Sequence, residues 1–329
     1  MTSERVEPWE VIIIGGGPTG LTAGLYTARA KLATLVLEGQ APGGQMIVSD
    51  LIENFPGFPE GIYGAELAGR IAAQASRFGV EIETGVAQAL RRADDRFVVE
   101  VEDGRLTARA VIVATGGRHK KLGVPGEREL RGHGVSYCAT CDGALFPDKR
   151  IAVVGGGSAA VDEAIFLTRF ATRVYLLHRR DQLRAERLLQ ERAFANPKIE
   201  IVWNSVVTAI EGDARVERIA VRNVKSGEDR RLSVEAVFVA IGLEPNTGFL
   251  PPEVETDEAG FILADRQGRT NVPGLFACGD VVSGALRQLT TSVGDAAWAA
   301  HSAQEFLAER SLPASAPPAP PVDRAPADA

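Results

Sequence analysis

The chain has 329 residues, 45% hydrophobic and 24% charged, which is the balance of an ordinary globular protein long enough for two domains. Lys and Arg number 36 against 43 Asp and Glu, a formal charge of −7, so no basic surplus exists to hold a nucleic-acid backbone. No apolar run approaches the ~18–20 residues that cross a bilayer, and the polar start from Met1 to Glu10 reads as no signal peptide.

In chain order, the first expected element is a buried strand, Val11-Ile12-Ile13-Ile14. It runs into Gly15-x-Gly17-Pro18-x-Gly20 and a helix over Leu21–Ala30. A strand, such glycines and a helix make a dinucleotide fingerprint. The glycines permit a tight turn and close approach to a pyrophosphate, and the helix N-terminus faces the phosphates with its positive end. The next strand, Ala33 to Leu37, ends at Glu38, about 20 residues on, where a carboxylate accepts bonds from ribose hydroxyls. The plainer reading of Glu38 is a solvated strand end. Further along, Phe97–Glu102 and Ile199–Trp203 alternate in a way that suits small antiparallel sheets, and Arg109–Gly116 reads as an apolar strand ending in Ala-Thr-Gly.

Cys138-Ala139-Thr140-Cys141 is open to three readings. A zinc site needs about four ligands, and no second C-x-x-C or paired His stands nearby. Two inert core thiols are the second reading, although Ser136, Tyr137, Asp142 and Gly143 around them read as an exposed or functional turn. The third is a dithiol that cycles with a disulfide, completing an electron path from nicotinamide through flavin to sulfur. With only Cys278 besides, the chain carries no secreted disulfide framework, which points to the cytosol. Cys278 itself follows an apolar run and reads as a buried, inert thiol.

A second fingerprint follows, Gly155-x-Gly157-Ser158-Ala159-Ala160, opening a helix-like stretch Val161–Ala171. The strand Arg173–Leu177 comes next, and Gly15 to Glu38 has the same spacing as Gly155 to His178. Where the first copy has an acid, the second has His178-Arg179-Arg180 and then Arg184. Guanidinium groups there favour a 2′-phosphate, hence NADP over NAD; the plainer reading is a solvated basic face beside Asp181 and Glu186. Glu163, one turn into the helix, borders either the nicotinamide pocket or solvent. Glu235–Gly242 echoes the earlier strand, and Leu275–Asp280 precedes a helix over Thr290–Glu309. The expected fold is α/β, with two Rossmann-like three-layer nucleotide-binding domains. The second, 117–243, is inserted into the first, 1–116 and 244–310, and the Pro/Ala-rich tail 311–329 is disordered.

These motifs together resemble the bacterial-type, low-molecular-weight thioredoxin reductases, from Val11 to about Leu307. The resemblance rests on Gly15–Gly20, Pro42-Gly-Gly-Gln45, Glu53-Asn-Phe-Pro-Gly57, Ala114-Thr-Gly116, Cys138–Gly143, Gly155–Ala160, His178–Arg184 and Ala277-Cys-Gly-Asp280 with Arg287-Gln288. It implies FAD on the first unit and NADPH on the second. It implies that Gln45 and Asn54 touch the flavin, Asp280 the ribityl–phosphate chain, and Arg287-Gln288 the isoalloxazine edge. Gly44, Val86, Thr115, Gly116, Gly279 and Leu289 complete the first cofactor set, and Ser158 and Ala159 the second. By position, Cys141 faces the flavin, Cys138 attacks the substrate, and Asp142 is the general acid. The resemblance also implies a cytoplasmic homodimer whose partner is thioredoxin. The helix opening at Leu289–Ser292 can stabilise a reduced, anionic flavin with its positive end.

Two departures bear on the protein partner. An aromatic pair usually follows Cys-Asp-Gly, and a basic residue precedes the first cysteine by five; here Ala144-Leu145 and His133 stand there. The dithiol shares a domain with the NADP site, yet both must reach one flavin, so the 117–243 domain is expected to rotate about Gly116-Gly117 and Gly242-Leu243. Two alternatives stay open: a same-fold flavin reductase for another acceptor, and a nucleotide-bound redox sensor without turnover.

Overall fold

A computed structural model describes residues 9–39, 41–48 and 51–310; the tail 311–329, expected to be disordered, lies outside the described residues. β1 (Trp9–Ile14) enters α1 (Pro18–Arg29), and β2 (Thr34–Glu38) returns beside β1 in parallel, Val11 opposite Thr34 and Ile14 opposite Leu37. Val11 to Ile14 are at most 3% exposed. Both sheet faces are covered, which is why this run is continuously apolar rather than alternating. Burying each such side chain contributes roughly 1.5–3 kcal/mol. A Cβ at Gly20 would lie 1.8 Å from the Gly15 carbonyl oxygen. Only glycine lets the helix start so close to the strand.

A hairpin of β3 (Leu51–Ile52) and β4 (Ile62–Tyr63) leads to α2 (Gly64–Arg77), and β5 (Glu81–Thr84) extends the sheet beyond β2. β6 (Ala89–Ala93), β7 (Arg96–Val101) and β8 (Gly104–Val113) form an antiparallel meander whose last strand lies parallel to β1. β9 (Gly117–His119) then leaves this unit.

The second unit repeats the plan. β10 (Val135–Ser136) and the single-turn α3 (Ala139–Asp142) precede β11 (Arg150–Val154), α4 (Ser158–Leu167) and β12 (Arg173–Leu177). The helix ends at Leu167, short of the expected Ala171, because Arg169 and Phe170 donate to Phe166 and Leu167 and tighten the last turn. α5 (Arg187–Ala195) leads to β13 (Ile199–Val202), and here the expectation fails. Ile199–Val202 pairs in parallel with Val174–Leu177 as the sheet's edge strand. Glu200 interrupts its apolar residues as in an antiparallel strand, so periodicity alone could not separate the two. The antiparallel sheet is built instead from β14 (Ser205–Glu211), β15 (Arg218–Asn223) and β16 (Asp229–Ser233), after which β17 (Ala236–Val239) fills the second sheet beside β11.

β18 (Leu243–Pro245) pairs antiparallel with β9, so the two crossings between units run side by side. β19 (Leu275–Ala277) joins β8 in the first sheet, and α6 (Leu289–Glu309) shares a core with α1 through Ala296, Ala299, Ala300 and Ala303. No helix among the described residues is long and apolar enough to cross a membrane.

Candidate functional site

The first cradle lies at the carboxyl ends of β1 and β2. Glu38 Oε2 accepts a 2.6 Å hydrogen bond from the Gly16 N–H, so the acid reaches the fingerprint rather than solvent. A Cβ on Gly17 would meet nothing within 4 Å, and no side chain caps α1. The open face and the unspent N–H groups together suit a pyrophosphate. Gly43 donates to the Gly16 carbonyl at 2.7 Å, folding Gly44 and Gln45 over the turn. Val86 touches the far side, 3.1 Å from where a Gly39 Cβ would be. Gly279, at φ +74, packs on Thr19 and so brings Asp280 against the start of α1. Asp280 accepts from Ser292 Oγ at 3.2 Å, just inside α6 after Leu289, and burial raises its carboxyl pKa.

The second cradle has the same shape and a different lining. No side chain caps α4, and a Cβ on Gly157 would again meet nothing within 4 Å. Ser158 Oγ accepts from the Glu186 N–H at 3.1 Å, and Ala159 is exposed. Arg179, Arg180 and Arg184 are exposed and make no ion pair among the described residues, whereas Asp181 is taken by Lys225 at 2.6 Å. A self-neutralised basic face would pair these groups with Asp181 and Glu186; three free guanidiniums suit a dianion. His178 sits elsewhere. It is 5% exposed and packs beneath Gly156, whose Cβ would fall 2.1 Å from Nδ1. Burial lowers its pKa, which keeps the imidazole neutral. Burial, and then Asp162, push the Glu163 carboxyl up to about 7. His178 Nε2 and Glu163 Oε2 are buried without a hydrogen-bond partner among the described residues.

Between the cradles, Cys138 and Cys141 form a disulfide with Cα atoms 5.3 Å apart, Cys138 capping α3. Ser136, read from sequence as part of an exposed or functional turn, is buried at 5% exposure. It donates to Asp142 Oδ2 at 2.6 Å and accepts from the Cys138 N–H at 3.1 Å, tying the acid to the first cysteine. The disulfide arm is docked on the first unit. Asn54 Nδ2 donates to Gln288 Oε1 at 3.2 Å, and Gln288 Nε2 donates to Thr140 Oγ1 at 3.1 Å. Gln45 donates to the Gly117 carbonyl at the crossing. Arg287, at φ +59, places its guanidinium 4.9 Å from the Phe261 ring centroid. Burial, with Arg131 and Arg287 close by, lowers the His119 pKa to about 4. Cys278 is 1% exposed, and burial raises its thiol pKa, so it is a core thiol away from this chemistry.

Residues 9–296 match the family of pyridine nucleotide-disulphide oxidoreductases. A thioredoxin reductase of Streptomyces coelicolor is 48% identical over 301 residues, covering 91% of this chain and 94% of that one. The crystal structure of the Streptococcus pyogenes thioredoxin reductase superposes with a TM-score of 0.88 at 45% identity, covering 92% of this chain and 98% of that one. The Lactococcus lactis thioredoxin reductase, in a structure described as the FR conformation, is also 45% identical, with 92% and 99% coverage, yet its TM-score is 0.64. The chain belongs to the thioredoxin reductases.

Thioredoxin reductases are oxidoreductases, and this member's Cys138–Cys141 pair stands at disulfide distance. Sequence reasoning did not find Ser136, Thr140, or the lock at the crossings. There Thr115 Oγ1 donates to the Asn246 carbonyl at 2.8 Å, and Asn246 Nδ2 donates to the Thr115 carbonyl at 2.9 Å. Thr140 lies inside the Cys-x-x-Cys and could have been singled out. Nothing local marks Asn246.

Proposed function

We propose that this chain reduces thioredoxin, or a thioredoxin-like protein, with electrons from NADPH, using FAD in the first cradle and the Cys138–Cys141 pair. The observation that carries this reading is the bridge Asn54–Gln288–Thr140, which docks the disulfide arm against the edge of the first cradle. Bound flavin and nicotinamide supply the two-electron chemistry that no side chain here carries. Glu38 holds the FAD ribose, and Asp280 the ribityl–phosphate chain. Arg179, Arg180 and Arg184 hold the 2′-phosphate of NADPH.

Reduction of the Cys138–Cys141 bond takes up two electrons and two protons. The Cys138 thiolate then attacks one sulfur of the thioredoxin disulfide. Cys141 closes back on Cys138 and releases the thioredoxin dithiol, whose two sulfurs take up the two protons, one from the Cys141 thiol and one through Asp142, held by Ser136. A free thiol with pKa ~8.5 is mostly protonated near neutral pH, which is why the pair needs these neighbours.

The segments 1–116 with 244–310, and 117–243, are the two bodies that rotate, with the paired strands β9 and β18 as the hinge. Two relatives of equal identity that superpose at 0.88 and 0.64 support more than one mutual arrangement of a common fold. A homodimer fits α1 and α6, which pack together and leave Tyr26 46% and Trp298 50% exposed. The absent aromatic pair at Ala144-Leu145 directs the partner question to thioredoxins with a less aromatic docking face.

The test is NADPH oxidation by the flavin-loaded protein against a panel of thioredoxins, comparing wild type with Cys138→Ser. Thioredoxin-dependent turnover should vanish in the variant, while NADPH still bleaches the flavin and NADH does so poorly. Turnover that survives Cys138→Ser would overturn the assignment. A verified cross-link between the two bodies should leave one half-reaction fast and block the other; two fast half-reactions would exclude rotation.

A further inference from the structure

The bridge between the units does not stop at Thr140. Its Oγ1 lies 3.4 Å from Cys138 Sγ, so four side chains from both units run in series to the sulfur. Gln288 turns Oε1 toward Asn54 Nδ2 and Nε2 toward Thr140 Oγ1, and the inference holds for this sense of the chain. Thr140 therefore accepts from Gln288 and keeps its own proton for another acceptor. The neighbour in reach is Cys138 Sγ. A disulfide sulfur accepts a hydrogen bond weakly, and a thiolate accepts one strongly.

We propose that Thr140 is a positioning residue for reduction of the pair: its hydroxyl, oriented by Gln288 while the arm is docked on the first unit, donates to Cys138 Sγ and stabilises the thiolate left there when the Cys138–Cys141 bond is reduced. The inference rests on the reading of Cys138 as the attacking sulfur. It gives the two cysteines different surroundings although they share one short helix. Cys138 has the Thr140 hydroxyl at its sulfur and the Ser136 hydroxyl at its N–H. Asp142 is held by Ser136, so its carboxylate is spoken for on the other side of Cys138. The titratable groups on the elements packed here are Asp142 on α3, Asp162 and Glu163 on α4, and Arg287 before α6. Substituting Thr140 changes none of them.

The experiment reads the thiolate directly and needs no thioredoxin. The flavin-loaded protein is reduced with a trialkylphosphine, which becomes the phosphine oxide with oxygen from water, and is then freed of reagent without air. Iodoacetamide is added across a pH series; the thiolate displaces iodide, and peptide mapping assigns the label to Cys138 or Cys141. Thr140→Val keeps the shape and removes the hydroxyl, and Thr140→Ser keeps the hydroxyl. In Thr140→Val the Cys138 labelling midpoint should rise by about one pH unit, a loss of about tenfold in rate below the midpoint, and Thr140→Ser should restore it. A midpoint unchanged in Thr140→Val, in protein with native circular dichroism and flavin content, overturns the inference. Preferential labelling of Cys141 in the wild type would instead overturn the role given to Cys138.

Discussion

The two nucleotide units are the same device with different linings. Both run a buried strand into a glycine turn and an uncapped helix, and both return a parallel strand whose end lies beside the turn. At that end the first unit has Glu38, reaching back to the Gly16 N–H at 2.6 Å. The second has His178 pressed under Gly156 and, beyond it, three guanidiniums without an ion pair among the described residues. The shared backbone geometry suits a dinucleotide in both units, and under the proposed function the residues after the second strand distinguish the two cofactors. A carboxylate takes ribose hydroxyls and repels a 2′-phosphate; guanidiniums invert the preference.

The comparison breaks most sharply at the third position of the fingerprint. Gly20 has no space for a side chain, since a Cβ would stand 1.8 Å from the Gly15 carbonyl oxygen. Its counterpart Ala160 already carries a methyl: Gly15 turns at φ +108, whereas Gly155 does not adopt a positive φ, and Ala160 Cβ lies 2.5 Å from where a Gly155 Cβ would be. Gly20→Ala is expected to destabilise the first unit by about 3 kcal/mol and to yield protein depleted of flavin. The mirror change, Ala160→Gly, should lose only about 1 kcal/mol through backbone freedom. Urea denaturation and flavin content measure both, and equal losses would show that the two turns are not distinct. Next in size is charge. Arg179→Ala with Arg180→Ala should raise the KM for NADPH by at least about a hundredfold, at roughly 1.5–3 kcal/mol for each charged hydrogen bond, and leave the KM for NADH nearly unchanged. A parallel loss for both nucleotides would place these groups away from the 2′-phosphate.

What was legible follows from how local each signal is. The fingerprints, Glu38, the arginines and the Cys-x-x-Cys are each written within a few neighbouring residues, because a strand, a turn and a helix start are themselves local. The helix start at Leu289 was legible for the same reason. Ile199–Val202 reads as antiparallel because Glu200 breaks its apolar run, whereas the direction of its neighbour depends on the crossover through α5. The bridge to the disulfide was invisible, since it joins Asn54, Gln288 and Thr140 from distant parts of the chain. Ser136 was taken for a turn residue because nothing nearby shows that Asp142 will fold back over it. His178 reads as one of the basic cluster by adjacency, whereas the structure buries it under Gly156 and leaves Arg179 and Arg180 exposed.

The smallest expected effect concerns one more asymmetric position. Where the first helix carries fully buried Ala23, the second carries Glu163, whose carboxyl is pushed up to about 7 by burial and by Asp162. Its folded value lies above the unfolded 4.5, so the protonated form is the one the fold favours. The sign follows: this group's contribution to stability is fully present below pH 4.5 and is lost as pH rises through about 7. Ionised Glu163 is a burden on the second unit at pH 8, and under the proposed function a nicotinamide amide donating to Oε2 would relieve it. Glu163→Gln should raise the melting temperature at pH 8 by a few degrees and leave it unchanged at pH 4. With NADP present the wild type should gain more than the variant. Equal melting curves at both pH values would place the Glu163 carboxyl in water, and then Ala23 and Glu163 would differ only in length.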